Sequence, residues 1–296
     1  MRVYLTGADG MLGTALTDAI ATDPSTQDWV VHGVSRTDFD IADHDAVTES
    51  VAAFEPDVVV HAAAHAIVDD CEADPRLAMR VNVAGTHNVA DACRRGDARL
   101  VYLSSDYVFD GATPPEGGYR ETDTPSPLSV YGLTKLAGER ISQAVPEHLV
   151  VRTSWLFGGA DERTDTVLAT VRQALRGATS ELIDDQFSCP TYTGDLAAAL
   201  VFLLGRGVTG TVHAANNGSA SWYQVAQVAM SAYDAELPAD LLPVALADRP
   251  FLGGRPRNSS LHTGLLAALG HPMPHWRDAV IRFASELRAG AEKVPT

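Results

Sequence analysis

The stretch VYLTGADGMLG, residues 3–13, decides the fold. Residues 3–6 form a short apolar run typical of a buried strand, and the apolar spacing over residues 11–20 predicts an amphipathic helix. Between them, three glycines spell GxxGxxG. Such glycines allow a tight strand-to-helix turn and a close approach of the backbone to a pyrophosphate, which the helix N-terminus then faces. The residues expected to touch a dinucleotide cofactor here are Gly7, Gly10, Met11, Leu12 and Gly13.

Strands and helices alternate through the first half of the chain. Further apolar, β-branched runs predict strands, at residues 29–34, 57–60, 100–103 and 149–151. Helices are expected over residues 73–95 and 131–142. Continuously apolar strands indicate a parallel sheet buried on both faces, and their alternation with helices favours a doubly wound, Rossmann-type α/β fold.

The pattern loosens after about residue 155. Loops rich in Gly, Pro and polar residues interrupt it, at 184–195 and 243–260. We therefore expect an NAD(P)-binding domain over residues 1–155. Residues 156–296 are expected to form a smaller, C-terminal substrate-binding lobe that is partly interleaved with the main sheet.

The composition excludes several classes of function. The 296 residues are 46% hydrophobic and 20% charged, which is typical of a globular protein. A net charge of -16 repels phosphate backbones, so nucleic-acid and membrane-surface binding are disfavoured. The longest apolar run, residues 196–204, is too short to span a bilayer, and the first residues do not read as a signal peptide. These features favour a cytoplasmic protein. Three cysteines, none in a metal-type pair, predict neither a disulfide framework nor a metal site.

The charged residues are unusual in kind. Only Lys135 and Lys293 are lysines among 22 bases, and 26 of the 38 acids are Asp. One interpretation is adaptation to a salt-rich cytoplasm, where salt screens the repulsion between carboxylates. The other is a GC-rich genome, which depletes lysine codons but explains the excess of acids less well.

The second predicted strand ends at Ser35 and Arg36. NAD-specific folds usually place an acid there, to hold the ribose 2′-hydroxyl. A guanidinium suits a 2′-phosphate instead, so NADPH is the expected cofactor, with NADH still possible. The alternative is a solvated surface arginine. Asp40 and Ile41 are expected to border the adenine.

Two further motifs carry chemistry. Residues 131–135, YGLTK, place Tyr131 and Lys135 on one face of a helix. An ammonium beside the phenol is expected to lower the tyrosine pKa from its usual value of about 10 and to make it a usable acid or base. Ser104, Ser105 and Asp106 directly follow the fourth strand, where a hydroxyl can polarise a carbonyl oxygen. The alternatives are an exposed Tyr/Lys pair and a serine turn.

These motifs together resemble the extended short-chain dehydrogenases/reductases and, among them, the dTDP-4-dehydrorhamnose reductase family. The matching stretches run over nearly the whole chain: ADGMLG at 8–13, PDVVVHAAAHAIVDDCE at 56–72, LVYLSSDYVFDG at 100–111, YRETDTPSPLSVYGLTKLAGE at 119–139, VVRTSW at 150–155, DDQFSCPTYTGDLA at 184–197 and RPRNSSL at 255–261. The family often has Thr at Ser105 and Asn at His61. Ser and Thr both supply a hydroxyl at position 105, whereas the role of His61 stays open.

The resemblance implies a role for each matching position. Ser105 would polarise a sugar ketone, Tyr131 would donate a proton, and Lys135 would assist it and hold the nicotinamide ribose. The residues implied to line or support the cofactor site are Ala62, Ala63, Ala64 and Asn82. Those implied to lie around the sugar or its diphosphate are Val68, Ser104, Asp106, Trp155, Gln186, Arg255 and Arg257.

The implied activity is the NADPH-dependent reduction of the C4 ketone of a nucleotide-linked 4-keto-6-deoxysugar. A 4,6-dehydratase is less favoured, because position 107 is Tyr rather than the acid that dehydratases carry there. An epimerase must keep its NAD bound, against which Arg36 argues mildly. A non-catalytic, NADP-binding regulatory subunit, like the β subunit of methionine adenosyltransferase, is a third interpretation. A homodimer is left open.

Overall fold

A computed structural model of the chain describes residues 1–234 and 240–292. Its first half alternates strands and helices, as expected from the sequence. These elements are β1 (Arg2–Thr6), α1 (Met11–Thr22), β2 (Val30–Val34), α2 (His44–Phe54), β3 (Val58–His61), α3 (Val68–Ala73), α4 (Pro75–Ala78), α5 (Gly85–Gly96), β4 (Arg99–Ser105), α6 (Val130–Ser142) and β5 (His148–Thr153). A π-helical turn, Met79–Ala84, joins α4 to α5. The helical segment expected over residues 73–95 is therefore present as several joined pieces.

The second half has shorter strands. Its elements are β6 (Leu156–Phe157), α7 (Thr166–Leu175), β7 (Ser180–Ile183), β8 (Thr191–Tyr192), α8 (Thr193–Gly205), β9 (Gly210–His213), α9 (Trp222–Tyr233), β10 (Leu241–Val244), α10 (Gly264–Ala268) and α11 (Trp276–Glu292). Lys293, singled out above, lies outside the described residues. No helix within residues 1–234 and 240–292 is long and apolar enough to cross a membrane.

The central sheet has six parallel strands in the order β2-β1-β3-β4-β5-β9. In β1, Val3 pairs with Val31 on one side and with Val58 on the other. Strand β3 is fully buried because helices cover both faces of the sheet. The predicted doubly wound, Rossmann-type fold is confirmed. The direction of winding reverses between β1 and β3, and such sheets bind ligands at the carboxyl ends of their strands beside that reversal.

Separate apolar cores fill the two faces of the sheet. Helices α1 and α8 supply one of them, with Leu16 and Leu200 fully buried. Helices α2 and α5 supply the other, with Val47 and Val89 inside. Both cores leave the carboxyl ends of the strands uncovered, which is where the predicted site residues lie.

A third core belongs to the C-terminal half. Helices α7, α9 and α11 pack there around Phe157, Trp276 and Phe283. The short parallel pairs β6–β8 and β7–β10 accompany them. Strand β9 nevertheless joins the main sheet beside β5, and α8 packs on α1. The division at residue 155 stays a prediction. Both β9 and α8 come from the second segment but pack with elements of the first.

Candidate active site

A cavity of about 1200 Å³ runs along the carboxyl ends of the central strands. The residues of the predicted set that line it are Gly7, Gly10, Met11, Leu12, Gly13, Ala62, Ala64, Val68, Ser104, Ser105, Asp106, Tyr131, Lys135 and Trp155. The others lie outside this lining: Ser35, Arg36, Asp40, Ile41, Ala63, Asn82, Gln186, Arg255 and Arg257. Segments that are far apart in sequence thus meet in one space.

The glycine loop is shaped to admit an anionic ligand. Gly7 has φ +74°, and a Cβ there would lie 2.8 Å from the backbone nitrogen of Ala63. A Cβ on Gly13 would overlap the carbonyl oxygen of Gly7. Helix α1 begins after Gly10, and no side chain caps its first turn. Its first N–H groups therefore remain available to a phosphate, which the positive end of the helix favours.

The end of β2 differs in one respect from the sequence expectation. Arg36 is exposed, but the Asp38 carboxylate accepts hydrogen bonds from the Ser35 backbone nitrogen at 2.8 Å and from its hydroxyl at 3.3 Å. An acid is thus present in this turn after all, four residues after the end of β2 rather than directly at it. Asp40 pairs with Arg80 instead of lining the cavity. Ile41 packs against α5, where its carbonyl accepts a hydrogen bond at 3.1 Å from Asn88.

Asn82 stabilises the turn after β3 through hydrogen bonds to its backbone. Its side-chain oxygen accepts a hydrogen bond from the His65 nitrogen at 2.7 Å, and its amide donates to the His65 carbonyl at 3.0 Å. The same amide donates to the Thr134 hydroxyl at 2.9 Å. Because Asn82 is only 1% exposed, it acts by fixing this turn relative to α6. The turn presents Ala62 and Ala64 to the cavity.

The hydrogen bonds of His61 determine its tautomer. Thr86 gives its only hydroxyl hydrogen to the Asn82 carbonyl at 2.6 Å, so Thr86 must accept from His61 Nε2 at 3.0 Å. Nδ1 then accepts from the Thr6 hydroxyl at 2.7 Å. Burial lowers the pKa of His61 to about 3, which keeps the ring neutral. His61 therefore ties β1 to α5, a role that the sequence alone leaves open.

Tyr131 and Lys135 occupy the first turns of α6, which Ser129 caps by accepting a hydrogen bond from Gly132 at 3.1 Å. Burial lowers the pKa of Lys135 to about 8. Burial also raises the pKa of Tyr131, and a hydrogen bond with Ser105 offsets this only in part. The expected lowering of the tyrosine pKa is therefore wrong for the structure as it stands. The phenol stays protonated near neutral pH, which is the form that donates a proton.

Ser105 ends β4 and faces the phenol. Its hydroxyl donates to the Asp106 carboxylate at 3.0 Å and accepts from the Tyr107 nitrogen at 3.2 Å. It is thus also the cap of the short turn Asp106–Val108, the alternative that the sequence left open. Asp106, expected near the sugar, is only 1% exposed, and both of its carboxylate oxygens accept hydrogen bonds from serine hydroxyls.

Ser104 faces away from Ser105, because successive side chains of a strand alternate. Its hydroxyl donates to Glu139 at 2.6 Å. Glu139 in turn forms a buried, two-pronged ion pair with Arg152, with both N–O distances 2.8 Å. The Ser104 hydroxyl is therefore engaged inside the protein rather than directed at a substrate.

Trp155 follows β5 with a strained backbone. Its φ of +41° lies in the left-handed region, which is rare for a bulky residue and typical of functional sites. The indole stacks on Trp222, with ring centres 4.5 Å apart and planes 5° apart. Packing of the ring, one of its two expected roles, is therefore present, and the ring also lines the cavity. Trp222 lies 67 residues further along the chain and belongs to no motif, so no feature of the sequence points to it.

The remaining predicted substrate residues lie outside the cavity lining. Gln186 donates to the Pro256 carbonyl at 3.0 Å. Arg255 pairs with Asp69 at 3.1 Å, and Arg257 pairs with Asp185 at 3.3 Å. These contacts hold the loop before α10 against α3 and against the loop before β8.

Metal-ligating side chains do not gather in the described part of the chain. Residues 1–234 and 240–292 contain no group of three or more His, Cys, Asp or Glu side chains that could hold a metal ion. The three cysteines are buried and form no disulfide: Cys71, Cys93 and Cys189.

Comparisons with known proteins agree with this geometry. The family model for the RmlD substrate binding domain matches residues 1–289. A dTDP-4-dehydrorhamnose reductase of Mycolicibacterium smegmatis is 38% identical over 282 residues, covering 94% of this chain and 84% of that protein. A dTDP-4-keto-6-deoxy-D-glucose reductase of Streptomyces niveus is 36% identical over 293 residues, covering 97% and 98%.

A solved structure is similar throughout. The crystal structure of dTDP-4-dehydrorhamnose reductase from Bacillus anthracis in complex with NADP has a TM-score of 0.89 and 32% identity, covering 96% of this chain and 99% of that one. The resemblance noted in the sequence is thus confirmed. By the match of the family model and the identity of these relatives over most of their length, the chain belongs to the dTDP-4-dehydrorhamnose reductase family.

Proposed function

We propose that this chain reduces the C4 ketone of a nucleotide-linked 4-keto-6-deoxysugar, of the dTDP-4-dehydrorhamnose type, with NADPH. One observation carries the proposal: Ser105, Tyr131 and Lys135 line the same cavity as the glycine loop. A hydroxyl that polarises a carbonyl, a protonated phenol and a dinucleotide loop in one space are the parts that carbonyl reduction needs. The names of the relatives support the same reaction and substrate class.

The lining of the cavity offers groups that suit the cofactor. The glycine loop and the uncapped end of α1 would hold the pyrophosphate, with Ala62 and Ala64 beside it and Lys135 at the nicotinamide ribose. When bound, NADPH supplies the hydride that reduces the ketone carbon. Lys135 is 4% exposed and lies with Nζ 4.5 Å from the centre of the Tyr102 ring. Burial and the contact with the Tyr102 ring thus fix the position of the Lys135 ammonium.

The chain supplies the proton. Tyr131 would transfer its phenolic hydrogen to the ketone oxygen as negative charge develops there. Ser105 would donate a hydrogen bond to the same oxygen. The Lys135 ammonium would then stabilise the phenolate left on Tyr131.

The wall of the cavity argues against elimination chemistry. A dehydratase needs a carboxylate base next to its acid, whereas position 107 holds a tyrosine. Burial raises the pKa of Tyr107 to about 12, so that phenol is not a base near neutral pH. Both oxygens of Asp106 are already engaged by serine hydroxyls.

Three further statements belong to the proposal. The protein would act in the cytoplasm, where NADPH is supplied. Its charge of -16 disfavours nucleic acid as a partner. The protein would form a homodimer, and light scattering of the purified protein measures whether its mass is that of two chains.

The test follows NADPH absorbance with a panel of nucleotide 4-ketosugars. Oxidation of NADPH that depends on one of these sugars, and is largely lost in Tyr131→Phe, is the expected result. Tight NADPH binding without reduction of any sugar would overturn the proposal in favour of a regulatory subunit. Inversion of the configuration at C4 of the sugar, without net oxidation of NADPH, would indicate an epimerase.

A further inference from the structure

Four serine hydroxyls surround the carboxyl group of Asp106. Ser105 donates to Oδ1 at 3.0 Å, and Ser188 and Ser259 donate to Oδ2 at 2.8 and 2.5 Å. Ser154 lies 2.5 Å from the Ser188 hydroxyl. We call Ser105, Ser154, Ser188 and Ser259 the serine cage. Ser105 ends β4, Ser154 follows β5, the other two come from loops of the C-terminal half, and all four are buried.

Counting hydrogens fixes the direction of these bonds. Each hydroxyl has one hydrogen. Ser188 gives its hydrogen to Asp106, so Ser154 must be the donor to Ser188. With Asp106 ionised, the hydrogens of Ser105, Ser188 and Ser259 all point at the carboxylate. The hydrogen that Ser105 needs for polarising a ketone is then turned away from the cavity.

We propose that Asp106 is a positioning residue whose carboxyl group determines whether the hydroxyl hydrogen of Ser105 points into the protein or into the cavity. This inference rests on the proposed function, because it concerns the hydroxyl that would meet the ketone. It differs from the expectation that Asp106 itself lies around the sugar. It requires no contact between Asp106 and the substrate.

The protonated carboxyl group reverses the bond to Ser105. Oδ1–H then donates to the Ser105 oxygen, which also accepts from the Tyr107 nitrogen. With both acceptor positions filled, the remaining Ser105 hydrogen turns outward, toward Tyr131 and the ketone. Oδ2 keeps its two donors, Ser188 and Ser259, so only Ser105 has to turn.

The surroundings of Asp106 favour this reversal. The titratable groups that act on it electrostatically are Tyr107 in its own turn, Tyr131 on α6 and Cys189 in the loop before β8. Burial raises the pKa of each of these three groups, so all are neutral near pH 7. Burial also raises the pKa of Asp106, and its hydrogen bonds with the serine hydroxyls lower it in part. The protonated state is therefore reached at a higher pH than for an exposed aspartate.

A double-mutant cycle on the full-length protein tests the proposal. Asp106→Asn mimics the protonated state, because its amide can donate to Ser105 while its oxygen accepts from Ser188 and Ser259. We expect kcat/KM of Asp106→Asn to be no lower than that of the wild type at neutral pH, and its acid-side pH dependence to be lost. Ser105→Ala should lower kcat/KM by about 10²-fold. Adding Asp106→Asn to Ser105→Ala should change it by less than about twofold, since coupled residues are not additive.

Ser259→Ala serves as the matched variant. It removes a donor to Oδ2, the oxygen that does not touch Ser105, and should move the acid-side midpoint of the pH profile upward. Equal losses from Asp106→Asn with and without the Ser105 hydroxyl would overturn the proposal, because Asp106 would then act on the substrate or on folding. NADPH titration and melting curves identify a folding defect.

A readout without turnover separates this inference from the proposed function. Neutron diffraction on deuterium-exchanged crystals locates the Ser105 hydrogen. It should face Asp106 in the wild type at neutral pH and face the cavity in Asp106→Asn. The same orientation in both proteins would overturn the inference even if the reductase activity is present. Correct orientations together with no reduction of any ketosugar would instead overturn the proposed function.

Discussion

Replacing Lys135 by methionine should make the ligand-free protein more stable and the enzyme less active. The Lys135 side chain is only 4% exposed, between α6 and the end of the sheet, where water solvates the ammonium poorly. Methionine has similar length and no charge, so it should fill the same space. Function therefore opposes stability at this position, as it often does in active sites.

The magnitude follows from the pKa. Burial lowers the pKa of Lys135 from 10.5 to about 8. Each unit of pKa corresponds to about 1.4 kcal/mol. Below pH 8 the buried charge on Lys135 therefore lowers the free energy of unfolding by about 3 kcal/mol. The contact of Nζ with the Tyr102 ring offsets about 1 kcal/mol. Lys135→Met should thus gain about 2 to 3 kcal/mol at pH 7.

The sign of the pH dependence is also determined. The folded-state pKa lies below the unfolded value, so the unfolded chain binds the proton more tightly. Stability of the wild type then rises with pH between about 8 and 10.5, as the penalty is lost. By pH 10 the advantage of Lys135→Met should fall to about 1 kcal/mol or less.

The assay is denaturant unfolding of the ligand-free protein at pH 7 and pH 10. Arg140→Met is the control, because it removes an exposed cation from the same helix and should change stability by about 0.5 kcal/mol or less. Turnover and NADPH affinity are measured on the same samples, and both should fall in Lys135→Met. A variant that is less stable than wild type at pH 7, by an amount that does not change with pH, would refute the reasoning.

Four further predictions follow from the site and the surface. Tyr131→Phe should bind NADPH about normally and lose about 10²- to 10⁴-fold in kcat, measured by steady-state kinetics beside a cofactor titration; full activity would show that the proton comes from elsewhere. Arg36→Ala should weaken NADPH binding and leave NADH nearly unchanged, whereas Asp38→Ala should weaken NADH more; equal losses in both cofactors would show that this pair does not read the 2′-position. The melting temperature should rise with KCl up to about 1 M, where the Debye length is about 3 Å; no change would leave GC bias as the explanation of the composition. Glu139→Gln leaves Arg152 buried beside a neutral partner and should cost about 3 to 5 kcal/mol in denaturant unfolding; a loss below about 1 kcal/mol would mean that the guanidinium finds other partners.

The parts of the fold with periodic sequence could be predicted well. The strand-glycine-helix pattern at residues 3–13 gave β1, the loop and α1, because each has a local physical cause. The YxxxK spacing likewise placed Tyr131 and Lys135 on one face of α6. The sequence predicts that the second segment is partly interleaved with the main sheet, but it does not identify β9 as the strand that returns, since a four-residue strand after a loosened pattern has no local mark of its partner.

The sequence could not give the direction of individual side chains. Ser104 and Ser105 are identical in type and adjacent, yet one donates to Glu139 and the other faces Tyr131. Asp106 lines the cavity, but its enclosure by Ser188 and Ser259 is not visible in the sequence, because these serines lie far along the chain. The expectation of a lowered Tyr131 pKa is wrong for a related reason, because spacing shows the neighbouring charge but not the burial that outweighs it.

The helix that carries Tyr131 and Lys135 is fixed from below by a buried polar network. Glu139 lies at the other end of α6 and joins Ser104 of β4 to Arg152 of β5. Arg152 also contacts His213 of β9 at 3.3 Å. A buried ion pair adds little net stability, but it strongly resists movement of either partner. Three strands thus set the position of α6 relative to the cofactor cavity. Reaction of the phenol with a bound ketone needs such a fixed geometry, because small displacements of reacting groups lower rates severely.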